Sequence, residues 1–237
     1  MISVRLCSNL ILLPLIVWLS SACAPVYLPS TPNTPMLKSQ GSGQAVARLG
    51  ASGVEVQGAY AVTDNTYLIG GLTASNNPGD DNAISSRHGY FEFGAGKSWR
   101  PAGRMVLEGA GGLGIGSGRG NVDYQFEGST VRHASGNYFK PFLQGNIAFQ
   151  TRAADFGFVN RLSLVQFGEI TRTEGSTVVI DDSPGYIFWE PSLFLQLGPE
   201  RLKFNTHIGI TSPVSANPNF DYQFLNIGFG VQYRWNH

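Results

Sequence analysis

Residues 202–211 read Leu202-Lys203-Phe204-Asn205-Thr206-His207-Ile208-Gly209-Ile210-Thr211. Leu202, Phe204, Ile208 and Ile210 recur at every second or fourth place, and Lys203, Asn205, His207, Gly209 and Thr211 fill the gaps. A period of two puts these sets on opposite faces of a β-strand. The stretch 222–235 repeats the pattern, with Leu225, Ile227, Phe229, Val231, Tyr233 and Trp235 set against Asn226, Gly228, Gly230, Gln232 and Arg234.

Working back towards the N-terminus, the same alternation reappears. Val54, Val56, Tyr60 and Val62 oppose Glu55, Gln57, Ala59 and Ala61; Phe91, Phe93 and Trp99 oppose Glu92, Gly94, Gly96 and Ser98. Phe139, Leu143, Ile147 and Phe149 oppose Lys140, Gln144, Asn146 and Gln150, and Ile187, Trp189, Leu193, Leu195 and Leu197 oppose Glu190, Ser192 and Gln196. No long amphipathic helix interrupts the series. Ten strands are expected, at 44–51, 54–62, 66–75, 88–99, 105–117, 137–151, 154–170, 187–197, 202–211 and 222–235. Ten is an even number, as bacterial membrane barrels require, and several strands reach the ~9–11 residues that cross a hydrocarbon layer at a tilt.

The connections alternate in length. Tight turns fall at 63–65, 100–104, 152–153 and 198–201, and longer polar segments at 76–87, 118–136, 171–186 and 212–221. Short turns on the periplasmic side and long loops outside are the habit of transmembrane barrels. Only 52–53 is short where a loop is expected. This register sends both ends of the strand-bearing region, 44–237, to the periplasmic side.

Composition decides which face is outside. Charged residues make up 14% of the chain against about 25% in a soluble domain, beside thirty glycines and 12% aromatics. A soluble barrel would need a wet outer face rich in Lys and Glu. Here the polar face is mostly small or amide-bearing, which suits a narrow interior, while Trp99, Tyr138, Phe139, Trp189, Tyr222, Tyr233 and Trp235 are expected to form interfacial girdles. The expected fold is therefore all-β: a closed antiparallel transmembrane barrel with an apolar exterior against outer-membrane lipid. Sixteen basic and sixteen acidic residues cancel, leaving no broad positive field for nucleic acid.

The N-terminus reads as an export signal over 1–22: Arg5, an apolar stretch from Leu10 to Leu19, then small residues before Cys23. Leu19-Ser20-Ser21-Ala22-Cys23 is similar to a lipobox, with the leucine one position too far from the cysteine. Cys23 is the candidate lipidation site, and its modification would place an anchored N-terminus in the periplasm. Segment 23–43 carries Pro25, Pro29, Pro32 and Pro35 and no periodicity, so it is expected to be an extended tether. A plain linker is the simplest expectation; the alternative is that 27–29 and 33–37 tuck into or beneath the barrel as a partial plug.

The run from Cys23 through Ala24-Pro25-Val26-Tyr27-Leu28-Pro29 to Met36-Leu37, with Gln57-Gly58-Ala59-Tyr60-Ala61-Val62-Thr63-Asp64, resembles uncharacterised outer-membrane β-barrel lipoproteins of the Bacteroidetes type. The resemblance covers roughly 23–75. It implies an outer-membrane barrel with a lipidated start and offers no catalytic residues.

On the assigned faces Glu55, Glu92, Glu108, Lys140, Arg161, Glu190, Lys203, His207 and Arg234 point inward. Unpaired charges there would cost several kcal/mol each, so a network paired across the interior is expected; the alternative is a polar conduit or ligand site, with Glu55, Glu92 and Glu108 of neighbouring strands facing bases from later ones. The loops at 76–87, 118–136, 171–186 and 212–221 are candidate sites for an unknown surface ligand. Two rival readings are a narrow solute channel and a loop-borne hydrolase using Asp80, Asp81 and His88, with His133, Asp181, Asp182 and Asp221 nearby. The glycine run 109–120 lacks the Gly-Lys-Ser/Thr ending of a phosphate loop and reads as strand. Nothing has metal-ligand spacing, and no cofactor is expected. The leading expectation is a non-enzymatic barrel that supports the envelope or binds at the cell surface.

Overall fold

The computed structural model describes residues 24–78, 84–122, 132–174, 177–182, 184–215, 218 and 220–235. The strands are β1 (Gly43–Gly50), β2 (Gly53–Ala61), β3 (Thr66–Asn77), β4 (Ile84–Trp99), β5 (Met105–Val122), β6 (Arg132–Gln150), β7 (Ala154–Glu174), β8 (Thr177–Asp182), β9 (Gly185–Leu197), β10 (Leu202–Ile210), β11 (Ser212–Pro213) and β12 (Leu225–Trp235). All pairings between them are antiparallel. β1 pairs with β12 from Gly43↔Trp235 to Gly50↔Gly228, and β7 pairs with β9, so ten strands close on themselves. β8 extends β7 as a hairpin above the wall and β11 is a two-residue addition to β9.

The wall is inverted relative to a soluble barrel. Phe204 is 73% exposed, Leu143 69% and Leu49 66%, while Lys140 and Arg161 are wholly buried. Exterior positions carry Val, Leu, Ile and Phe, and interior ones carry the charged and amide side chains, as the alternation requires. The ring girdle needs one correction: Tyr138 is buried inside. It is the immediate neighbour of Phe139, and adjacent residues of a strand cannot share a face. Trp99, Phe139, Trp189 and Tyr233 are exposed on the outside, and Tyr222 is half-buried against the interior aromatic cluster.

The loop-side ends depart from the expected bounds. β4, β5, β6 and β7 run 16, 18, 19 and 21 residues, so 84–87, 118–122, 132–136 and 171–174 are strand and not loop. On the opposite side β1 and β2 have only 8 and 9 residues and join through Ala51-Ser52. Gly53 there has φ +96°, a left-handed conformation that favours glycine. The rim is therefore low at β1–β2 and tall at β4–β7.

Residues 24–37 are all buried. The segment is extended as expected, but it runs through the lumen from one end to the other. Val26 N–H donates to the Asp221 carbonyl at 2.8 Å and Tyr27 pairs in parallel with Tyr222, both at the loop side. Arg100, in the turn after β4, donates to the carbonyls of Met36 and Leu37 at 3.1 and 3.0 Å, at the tight-turn side. β1 starts at the tight-turn end, the side to which the expected periplasmic tether belongs, whereas Ala24 lies at the loop end beside Gly120. Length and proline spacing gave the segment its extended form; only the chemistry of the lumen wall gives it its place. Residues 1–23, including the candidate signal and Cys23, lie outside the described residues.

Candidate functional site

The lumen is the chemically dense part of the molecule, and the threaded segment runs along its whole length. Because every wall strand alternates, each contributes one inward side chain per two residues, and segments 27–31 and 33–37 supply partners at matching heights.

At the loop side, Tyr27 Oη donates to Glu190 Oε1. Lys140 Nζ donates to Tyr27 Oη at 3.0 Å and lies 3.8 Å from Glu190 Oε2, and Ser163 Oγ donates to that same oxygen at 3.0 Å. The Tyr27 ring stacks on Phe188 at 4.8 Å and meets Tyr138 edge-on at 5.7 Å, while Lys140 Nζ sits 4.8 Å from the centre of the Tyr90 ring. Such contacts let a buried ammonium keep favourable partners on several sides.

At mid-height Arg161 reaches Glu92 at 3.1 Å and Gln144 Oε1 at 2.7 Å, and it also donates to Ser30 Oγ at 3.0 Å. Gln144 in turn donates to the Asn33 carbonyl at 2.7 Å. On the other side Thr31 N–H donates to Glu55 Oε1 at 3.0 Å, Thr31 Oγ1 is 2.9 Å from His207 Nε2, and Gln57 Nε2 donates to the Thr31 carbonyl at 2.5 Å. Arg48 lies 3.9 Å from Glu55 Oε2 and donates to Gln57 and Asn205.

Towards the tight turns, Glu108 accepts Met36 N–H at 2.9 Å and Asn146 Nδ2 at 2.8 Å. Met36 has φ +48°, an uncommon backbone state for a residue with a Cβ, held between Glu108, Arg100 and Gln150. Asp155 takes Lys203 and Arg234, each at 2.8 Å. Outside the wall, at the turns, Lys38 pairs with Glu200; this hydrogen bond holds the Glu200 carboxyl below the ordinary glutamate range.

All nine residues expected inside are there: Glu55, Glu92, Glu108, Lys140, Arg161, Glu190, Lys203, His207 and Arg234 are buried. Their pairing is only partly as expected. Glu92 and Glu190 do face bases from other strands, but Glu55 pairs with Arg48 of the preceding strand and Glu108 is held by a backbone N–H of the threaded segment. Arg48 and Asp155 were missed. Both carry a signal, since each lies in alternation with exterior Leu49 and Phe156. The partners Tyr27, Ser30, Thr31 and Asn33 carry none, because an aperiodic segment does not announce what it packs against.

The candidate hydrolase residues do not assemble among the described residues. His88 is buried in the lumen with Nε2 2.6 Å from Tyr138 Oη, a correction of its expected place at a loop. Its position opposite exterior Arg87 in the strand alternation explains why. His133 Nδ1 is 2.9 Å from Asn121 Oδ1, and Asp181 pairs with Arg172 at 2.6 Å. Asp80 and Asp81 lie outside the described residues. The glycine run 109–120 is β5, as expected, and no group of metal-ligating side chains occurs among the described residues.

No protein-family model matches the chain, and no curated protein matches it. Among solved structures it is similar to the translocator domain of autotransporter NalP from Neisseria meningitidis, with a TM-score of 0.49, 11% identity, and 83% of this chain and 86% of that one covered. It is also similar to the KdgM porin, with a TM-score of 0.38, 11% identity, and 82% and 99% covered.

Proposed function

We propose that the chain is a bacterial outer-membrane barrel that spans the bilayer in a permanently filled state and serves the envelope as a structural or surface-binding protein, without catalysis. Membrane insertion is supported by the apolar exterior and the closed hydrogen-bonded wall, since lipid tolerates no open strand edge. The single observation that carries the filled state is the unbroken burial of residues 24–37 inside the wall. A solute path would need that segment displaced, together with its contacts to Glu55, Glu92, Glu108 and Glu190.

Cys23 is the lipid-bearing residue in this reading, supported by the small residues before it and by the likeness of 23–75 to barrel lipoproteins. With Ala24 at the loop end, this reading puts the acyl chains on that side. Palmitate labelling lost on Cys23→Ser tests the modification.

Planar-bilayer recording tests the filled state. The full chain is expected to insert without steady unitary current, and a variant lacking 24–37 to conduct. Steady current from the full chain would establish the channel reading instead.

A further inference from the structure

We propose that the outer face of β3–β6, at its loop end, is a binding site for an anionic membrane lipid with a phosphomonoester headgroup, with the phosphate between Arg87 and Arg119 and an acyl chain in the groove below them. The proposal rests on the membrane-spanning reading and goes beyond it.

Arg87 and Arg119 are directly paired across β4 and β5 and are both exposed on the exterior. Like charges opposite one another in an antiparallel pair repel. No carboxylate forms an ion pair with either among the described residues. Among the described residues the polar recess around them has one carboxylate in its lining, Glu169 on β7 opposite Asn137, which accepts the Thr171 hydroxyl at 3.1 Å. The flanking exterior positions, Asn76 and Ser135, are uncharged hydrogen-bonding residues. Two guanidinium forks with polar neighbours form a receptor for a doubly contacted oxyanion.

What lies beneath them selects the rest of the ligand. The next exterior row is small, with Ala74, Gly89 and Ser117 in register, and the row after it is bulky, with Leu72, Phe91, Ile115 and Phe139 in register. The step between them forms a groove of about 1000 Å³ with a mainly apolar lining. It is continuous with the polar recess that holds both arginines, sharing Ala74, Gly89 and Ser117 with it.

The height is also right. Arg87 is twelve residues along β4 from Trp99, and a tilted strand advances roughly 2.5 Å per residue along the axis, so the pair sits about 30 Å from the opposite aromatic rim. That is the headgroup level of the loop-side leaflet. A free anion would use only the forks, and a neutral lipid only the groove; an anionic phospholipid uses both.

The test is electron spin resonance on the full chain in phosphatidylcholine vesicles carrying a trace of spin-labelled phosphatidic acid or, separately, spin-labelled phosphatidylcholine. Phosphatidic acid is expected to be motionally restrained in preference to phosphatidylcholine, and R87Q/R119Q to lower that preference about tenfold. K97Q, an exposed cation at the opposite end of β4, is expected to leave it unchanged. Displacement by millimolar inorganic phosphate would assign the arginines to a free anion and overturn the lipid site. Equal restraint of both lipids by a protein that inserts, shown by heat-modifiable mobility, would overturn the site and leave the membrane reading standing. So would loss of restraint through self-association of barrels at that face. Failure to insert would overturn both.

Discussion

Arg161 of β7 and Glu92 of β4 meet at 3.1 Å across the lumen, and Ser30 of the threaded segment is hydrogen-bonded to both. The contact joins two wall strands that are not neighbours in the sheet and clamps the segment between them. Removing one partner strands a buried charge. Arg161→Met is expected to cost about 3–5 kcal/mol, and E92Q/R161M to cost clearly less, because the uncompensated carboxylate is then gone. Urea unfolding in detergent micelles measures both; equal losses would show that the pair is not the clamp.

Tyr27 joins Lys140 to Glu190 through one hydroxyl. Tyr27→Phe keeps the ring against Phe188 and Tyr138 and deletes that link, leaving two buried charges 3.8 Å apart. A loss of about 1–3 kcal/mol is expected by the same unfolding measurement. An unchanged midpoint would mean the ion pair does not depend on the segment.

A Cβ at Gly118 or Gly120 would overlap the carbonyl of Val26 or Ala24. Gly118→Val is therefore expected to leave the wall intact and dislodge the upper part of the segment. Hydrogen exchange at Val26 N–H should accelerate by at least about tenfold, while Gly145→Ala, whose Cβ meets only the Glu108 carbonyl at 3.9 Å, should not change it. Unaltered protection in Gly118→Val would contradict the close approach.

The Lys38–Glu200 pair bears on pH. Glu200 titrates lower folded than unfolded, so its contribution is present above the ordinary glutamate range and is lost as pH falls through the depressed folded value. Both side chains are about half exposed, which limits the effect to well under ~1 kcal/mol. Exchange at Ser39 and Gln40 is expected to rise modestly below about pH 4, and Glu200→Gln to remove that acid step.

The direction of the threaded segment predicts a labelling pattern. A short epitope inserted between Cys23 and Ala24 should react with antibody on intact cells, whereas Lys38→Cys should be reached by an impermeant maleimide only after the outer membrane is opened. The reverse pattern would invert the barrel.

The wall was legible because every strand repeats a two-residue rule, so Phe204 and Lys203 declare their faces without reference to anything distant. At Tyr138 strand register overrides residue type, and at His88 it overrides proximity to a loop. The upper limits of β4–β7 were hidden because glycine, serine and arginine at 84–87 and 118–121 look like loop until their cross-strand partners are known. The nine inward charges came directly from alternation. What they bind did not, because the partners of Glu55 and Glu108 include backbone N–H groups of Thr31 and Met36, and any residue but proline has one.

The connectivity at β1 constrains the order of assembly. This strand carries the threaded segment on its leading side and also forms one lip of the β1–β12 seam. Passing a free chain end through a finished cylinder would drag whatever that end bears past a corridor of charged groups. Winding the wall around the segment, then stitching first strand to last, avoids the passage altogether, and makes the cargo of the cylinder a template for its own enclosure.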